Sequence, residues 1–210
     1  DLDPVVIDTA TPEIEAANAE LGKPVGTLAQ PLSATTAPGR PSDVQRLHGV
    51  SIRDSLARNG VEIDAVLHGQ FVKADIPAGE KSLADMWLLA PYENLIVTAD
   101  LTRDQLITIA QETGDEKNAR NLIGLTPVYN GDQVVEINDP AGMPIDPSRR
   151  FRIALNSYDS QSGGKRFMKL REIVTERSSN STFHPHETRD ALSEFFLEHG
   201  TVSEEQLAFG

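Results

Sequence analysis

His184 and His186 stand two residues apart in "FHPHE", and a His-x-His pair can ligate a metal. A metal centre needs further Asp, His or Asn ligands converging on it. His48, His68 and His199 are scattered, and there is no His-Glu-x-x-His. The pair therefore reads first as polar surface in a loop. Nucleophilic chemistry has less support still. There is no cysteine and no Gly-x-Ser-x-Gly. Ser157 and Ser162 lie near Gly163-Gly164, but no His is close in sequence. A Ser-His-Asp set would have to assemble in space.

Two weaker patterns concern binding. "GGKRF" is a Gly turn opening a helix, where free N–H groups and Lys165 could meet an anion. It lacks the Walker spacing, and the plain alternative is a strand-to-helix turn with two exposed cations. Tyr92 precedes a strand and Tyr158 ends one. Aromatic rings at strand mouths can stack on a flat base. The plain alternative is two half-buried tyrosines at sheet ends.

Composition bounds these possibilities. The 210 residues are 39% hydrophobic and 24% charged, enough for one large domain with its own core. The net charge of −13 argues against nucleic-acid binding, which needs clustered Lys and Arg. A few local cations could still hold a small anion. Without cysteine there are no disulfides. No apolar run approaches the roughly 18 residues of a membrane span. The first residues show no signal-peptide pattern, and the abrupt start at "DLDPVVID" reads as a fragment or processed form.

The elements that must position these residues follow from periodicity and punctuation. Residues 1–22 read as a short helix capped by Thr11, with Pro12 at its first position and Gly22 at its end. "PVGTLAQPL" reads as a strand. Ser42 caps a helix over about 43–59, with Val44, Leu47, Ile52 and Leu56 inward. "DAVLHG" is a buried strand. "SLADMWLLA" is a short helix capped by Ser82 and expected to bury Trp87 and Leu88. "NLIVTADL" is a strand, and Thr102 to Gln105 is a capping box opening a helix. "DEKNARN" is a loop. "LTPVYN" and "QVVEIND" form a hairpin about Gly131-Asp132. "FRIALNSY" (151–158) is a strand, followed by the Gly turn and a helix. "SSNSTFHPH" reads as a loop. "ETRDALSEFFLEHG" is a final helix with Leu192, Phe195 and Phe196 inward, and "TVSEEQLAFG" a tail. Strands alternating with helices, with one hairpin, indicate an α+β domain.

On these residues the sequence resembles a known family. "ADIPAGEKSLADMWLLAPYENLIVTADLTRDQL" and "GMPIDPSRRFRIALNSYDSQSGGKRF" are similar, in order and spacing, to the C-terminal domain of bacterial 5′-nucleotidases, a family that includes UDP-sugar hydrolases and 2′,3′-cyclic-nucleotide phosphodiesterases. The resemblance covers about residues 20–200. It implies an α+β fold in a layered α/β/β/α arrangement with mixed sheets, residues 23–210 forming the substrate-recognition domain and residues 1–22 the remnant of an interdomain linker. It implies that an N-terminal metallophosphoesterase domain of the same polypeptide carries the divalent metals and the hydrolysis. Its motifs are absent from these 210 residues, so no catalytic residue and no cofactor is expected in this chain.

Carried over by position, Tyr92 and Tyr158 become the two stacking rings, Asn94 the reader of the base edge, and Asn156 a further polar contact beside Tyr158. Lys73 falls where the family has an Arg facing phosphate or sugar, and Arg40 or Arg53 corresponds to further arginines. The expected ligand is a nucleotide or related phosphorylated molecule, with no nucleic acid and no membrane span. Export to the periplasm or cell envelope is implied by the resemblance alone. Two segments depart from the family. Its Asn-Gly-Gly-Gly-Ile-Arg is "HGQFVK" here, and its Gly-Gly-Asp-Gly is "GGKR" with one residue inserted before it. The second change puts Lys165 and Arg166 where the family has an acid, which suits a more anionic ligand. The same departures keep open a non-catalytic binding or structural module with a degenerate pocket.

Overall fold

The computed structural model describes residues 4–114 and 120–209, with backbone only for residues 4–8. Most of the loop expected at "DEKNARN" lies outside the described residues. What is described of that stretch, Arg120 and Asn121, leads into a strand.

The central sheet has five strands: β2 (Ala65–His68), β4 (Leu95–Thr102), β5 (Asn121–Ile123), β8 (Arg150–Asn156) and β9 (Thr182–Glu187). Their order is β5-β2-β8-β4-β9. β2 and β8 are parallel and the other pairings antiparallel, so the sheet is mixed. Both faces are apolar because both are covered. Ala65, Leu67, Val97, Ile153 and Leu155 face one core. Their neighbours Val66, Ile96 and Ala154 face another. The first core is closed by α4 (Arg103–Thr113), α6 (Met168–Thr175) and the hairpin of β6 (Thr126–Asn130) and β7 (Gln133–Asn138). The second is closed by α2 (Asp43–Arg58) and α7 (Thr188–His199).

A second mixed sheet lies beyond those helices. It comprises β1 (Pro24–Leu28), β3 (Gly79–Ser82) and β10 (Thr201–Val202), with β1 central. Val25 and Leu28 pack with Val44, Leu47, Leu192, Phe195 and Phe196. The helix pair α2/α7 therefore separates the two sheets, and the four layers interleave. The α+β class with mixed sheets is as expected.

Local signals explain most boundaries. Ser42 and Gln45 form a reciprocal capping box at α2, and Thr102 and Gln105 another at α4. Gly60, with φ of +74°, turns the chain after α2. The Gly131 turn closes the hairpin as expected, with φ of +60°.

Several expectations are corrected. The first helix, α1, runs from Pro4 to Leu21 with Pro12 inside it, so Thr11 and Pro12 do not open it. In α3 (Leu83–Leu89) the buried side chains are Met86 and Leu89. Trp87 is 46% exposed and Leu88 67% exposed. A seven-residue helix at the edge of the core has only one stripe to bury, and that stripe is taken by Met86 and Leu89. "TFHPHE" is an edge strand, β9, where Pro185 is tolerated because its missing N–H is not needed by a ladder. The strand expected over 151–158 stops at Asn156, and Tyr158 belongs to the short helix α5 (Ser157–Ser160). The tail supplies β10 and buries Leu207.

Candidate functional site

One end of the central sheet gathers most of the residues singled out from sequence. β2 and β8 run side by side and finish together, Leu67 beside Leu155. β4 starts there, with Ile96 opposite Asn156, and β5 starts there, with Asn121 opposite His68. Four connections therefore meet at this end: the loop after β2, the loop before β4, the turn after β8, and Arg120 entering β5. The carboxyl ends of parallel strands are a common place for ligands to bind.

Tyr92 and Tyr158 both project here and both are open to solvent, at 60% and 47% exposure. Tyr92 is more open than the half-buried sheet-end tyrosine of the plain alternative, whereas Tyr158, on α5, is about half-buried. The Ser157 hydroxyl accepts a hydrogen bond from Leu95 N–H at 3.1 Å, tying the start of α5 to the start of β4. Asn94 is nearly buried. Its N–H donates to the Tyr92 carbonyl and its carbonyl accepts from Thr188 N–H, each at 2.9 Å. The Tyr92 loop is thus pinned to the start of α7. The Ala90 carbonyl in the same loop accepts from Arg189, whose guanidinium lies 3.6 Å from the Trp87 ring centre.

Asn156 is buried and committed to the fold. As N-cap of α5 it accepts from Asp159 N–H at 2.8 Å, and its Nδ2 donates to Asp159 Oδ2 at 2.9 Å. Asp159 is fully buried and receives Arg120 Nε and Nη2, each at 3.1 Å. Arg120 also lies 5.1 Å from the Phe167 ring centre. Asn156, Asp159 and Arg120 form a charged floor beneath the turn that follows α5. Sequence reading missed the Arg120–Asp159 pair because the partners are 39 residues apart. The one local signal was Asp three residues after an N-cap Asn.

The segment "HGQFVK" acquires an account. His68 is buried and stacks on buried His48 at 4.5 Å between ring centres. Phe71 meets His68 edge-on at 6.3 Å and Tyr92 edge-on at 5.3 Å. A file of rings therefore runs from the core to Tyr92. Gln70 Nε2 donates to the Ala34 carbonyl at 2.6 Å, and Gln70 Oε1 accepts from the hydroxyl of Ser42, the α2 cap. Lys73 is exposed on the same loop, and among the described residues it has no ion pair or hydrogen bond to fix it.

The turn after α5 bears Lys165 and Arg166, both exposed. Arg166 Nε donates to the Gly163 carbonyl at 2.7 Å. Its guanidinium lies 6.0 Å from the Tyr158 ring centre and 5.2 Å from that of Phe167. The structure thus brings Tyr92, Asn94, Asn156, Tyr158, Lys165 and Arg166 to one end of the sheet. Arg40 and Arg53 lie elsewhere. Arg40 borders a cleft of about 940 Å³ beside Tyr129 and the hairpin turn. Arg53 borders one of about 540 Å³ with Asp64 and Phe209. Neither cleft is lined by Tyr92 or Tyr158.

Among the described residues no three His, Asp or Glu side chains are grouped to hold a metal. His184 and His186 lie on β9, where His184 Nε2 is 2.9 Å from the Thr98 hydroxyl. Burial, then the nearby His186, lowers the His184 pKa. No helix among the described residues is long and apolar enough to cross a membrane.

Comparison with known proteins agrees with this fold. Protein UshA of Yersinia enterocolitica is 24% identical over 165 residues, covering 77% of this chain and 30% of that protein. The 5′-nucleotidase precursor of Thermus thermophilus superposes with a TM-score of 0.74 at 17% identity, over 94% of this chain and 40% of that one. The NAD nucleotidase of Haemophilus influenzae gives 0.68 at 15% identity, over 97% and 40%. This chain therefore spans well under half the length of these relatives. The family model described as "5′-nucleotidase, C-terminal domain" matches residues 24–172, from β1 into α6, and so the chain belongs to the 5′-nucleotidase C-terminal domain family.

Proposed function

We propose that this chain is the substrate-recognition domain of a two-domain 5′-nucleotidase-like phosphohydrolase. It binds a nucleotide or related phosphorylated ligand through Tyr92 and Tyr158 and presents it to a metallophosphoesterase domain of the same polypeptide. The observation that carries this reading is the pair of exposed rings at one end of adjoining strands, braced by the Ser157–Leu95 bond and the Asn156–Asp159–Arg120 floor. Large exposed rings on a braced surface suit stacking on a base, at roughly 1–3 kcal/mol per ring. The open face suits a site completed by a second domain. Under this reading Asn94, whose backbone pins the Tyr92 loop, sets that ring and reads a base edge beside it. Export to the periplasm or cell envelope belongs to the same reading and rests on the family resemblance.

Titration of the chain with adenosine and uridine, followed by tyrosine fluorescence or amide chemical shifts, tests it. Tyr92→Ala and Tyr158→Ala should each weaken binding by about tenfold, the loss of one ring. The isolated chain supplied with Mn²⁺ should not hydrolyse nucleotides. Robust turnover would overturn the division of labour. A second reading, a module whose pocket no longer holds a nucleotide, is favoured by Phe71, which already packs against Tyr92. Under it the titrations are flat and both substitutions silent.

A further inference from the structure

The turn after α5 has an unusual backbone. Ser162, Gly163, Gly164 and Lys165 all have positive φ, at 92°, 52°, 73° and 70°. Two of the four are not glycine, and L-residues with a Cβ are strained there. The turn is held by many bonds. Gly163 N–H donates to the Tyr158 carbonyl at 2.9 Å, Ser162 N–H to the Asp159 carbonyl at 3.0 Å, and Phe167 N–H to the Ser162 carbonyl at 2.9 Å. The Ser162 hydroxyl accepts from Lys165 N–H at 3.1 Å. The turn also presses on the ring, since a Cβ on Gly164 would stand 2.8 Å from the Tyr158 hydroxyl.

Ser162 has a use within the turn, through its hydroxyl. The Lys165 side chain has none. Its ammonium is exposed and makes no ion pair among the described residues. Glycine would adopt φ of +70° without strain, so what Lys165 adds over glycine is a charge. Arg166 adds a second. Its Nε is used by Gly163, which leaves the Nη groups free to receive an anion beside the Tyr158 ring. The adjacent Asp159 is taken by Arg120 and cannot neutralise either cation. Elsewhere in this acidic chain Arg46, Arg58 and Arg152 are each held by carboxylates. Lys169 and Arg171 follow on α6, where they are offset by Glu172 and by the Glu112 carboxylate, which accepts from Lys169 and Leu170 N–H at 2.9 and 2.8 Å. On the other walls Glu93, beside Tyr92, and Asp75, on the loop after β2, are exposed carboxylates.

We propose that Lys165 and Arg166 form an anion-reading lip on the Tyr158 ring. The stacked ligand then carries an anionic ester, a phosphate on its sugar, and the lip selects it over the neutral nucleoside. This rests on the reading that Tyr158 stacks a base.

The test is calorimetric or NMR titration of the chain at low ionic strength with adenosine, adenosine 5′-monophosphate and adenosine 3′-monophosphate. At least one phosphate ester should bind about tenfold or more tightly than adenosine, as expected for a charge-assisted contact. The preferred isomer shows which side of the sugar meets the lip. The preference should shrink as salt is raised and collapse in the Lys165→Gly, Arg166→Gln double variant. Lys165→Gly alone should raise the urea midpoint, because it relieves backbone strain; a lowered midpoint would show that the lysine serves the fold and would overturn the assignment. Equal affinity for adenosine and both phosphates, or a preference that survives the double variant, overturns the lip and leaves the stacking reading intact. No binding of any probe overturns both.

Discussion

Asp159 is the residue on which the candidate site depends most, although it touches no ligand. Its side chain is fully buried, and a lone buried carboxylate is costly. Arg120 meets it with two N–H groups and Asn156 with a third. An exposed ion pair would contribute about 1 kcal/mol or less. A buried one behaves differently, because removing one partner strands the other. Arg120→Met should therefore cost about 3–5 kcal/mol in urea unfolding. Pairing it with Asp159→Leu should recover most of that loss, since the uncompensated charge is then gone. A cost under about 1 kcal/mol for Arg120→Met would mean that water reaches Asp159. The legibility of single residues followed the range of their contacts. Tyr92 and Tyr158 could be picked out because an aromatic at a strand mouth is a local pattern. Phe71 and Arg120 could not, because nothing near them in sequence marks the ring or the carboxylate that each one meets.

At the scale of elements, sequence reading did well where a signal was local and periodic. The capping boxes of α2 and α4, the hairpin and the long face of α7 were all legible. It failed where tertiary contacts decide. β9 carries a His-Pro-His that reads as loop, and becomes a strand only because β4 offers it an edge. Trp87 and Leu88 look like core, yet α3 turns another stripe inward.

The junction of α2 with β2 is a further case, and it is testable. His48 on α2 stacks on His68 on β2; among the described residues no well-aligned hydrogen-bond partner meets either ring nitrogen of His48 or Nε2 of His68, although the Leu89 backbone lies near enough to His48 to oppose its shift. His68 Nδ1 meets the Gly69 carbonyl at 2.6 Å. Burial pushes the His68 pKa from 6.5 to about 4, with the Gly69 carbonyl and Asp159 opposing and Arg120 assisting. Burial and then His68 push His48 down as well. The unfolded chain takes up these protons near pH 6.5 while the fold refuses them. Stability is therefore full above about pH 6.5 and lost as the pH falls toward 4. For His68 alone the loss is about 3 kcal/mol at the lower end. Asp100, lowered by its bond to Arg152, loses its contribution only below the ordinary carboxylate range. Urea midpoints at about pH 7.5, 5.5 and 4.5 should fall stepwise. NMR should show the His68 imidazole still neutral at about pH 5.5. Protonation of that ring near pH 6.5 would show the pair to be hydrated.

For the whole molecule, the question is which residues make up the folding unit. The family match begins at Pro24, where β1 begins. Ahead of it stands α1, an 18-residue helix with Ile14 56% exposed and none of residues 9–21 buried. Among the described side chains, the three buried clusters draw on β1 onward and take nothing from residues 9–21 of α1. Over residues 9–21 the helix buries no stripe, and such a stretch adds little to stability, since isolated helices of this length are marginal in water. Sequence marked the position of the helix but not its extent, because Pro12 looked like a start. Deletion of residues 1–22 should therefore shift the thermal midpoint by only about 2–4 °C, equivalent to roughly 1 kcal/mol or less in a domain of this size. Circular dichroism should lose helical signal in proportion to α1, while the tyrosine response to adenosine is retained. A shift of about ten degrees or more, or loss of the proposed adenosine response, would make α1 part of the folding unit that begins at β1.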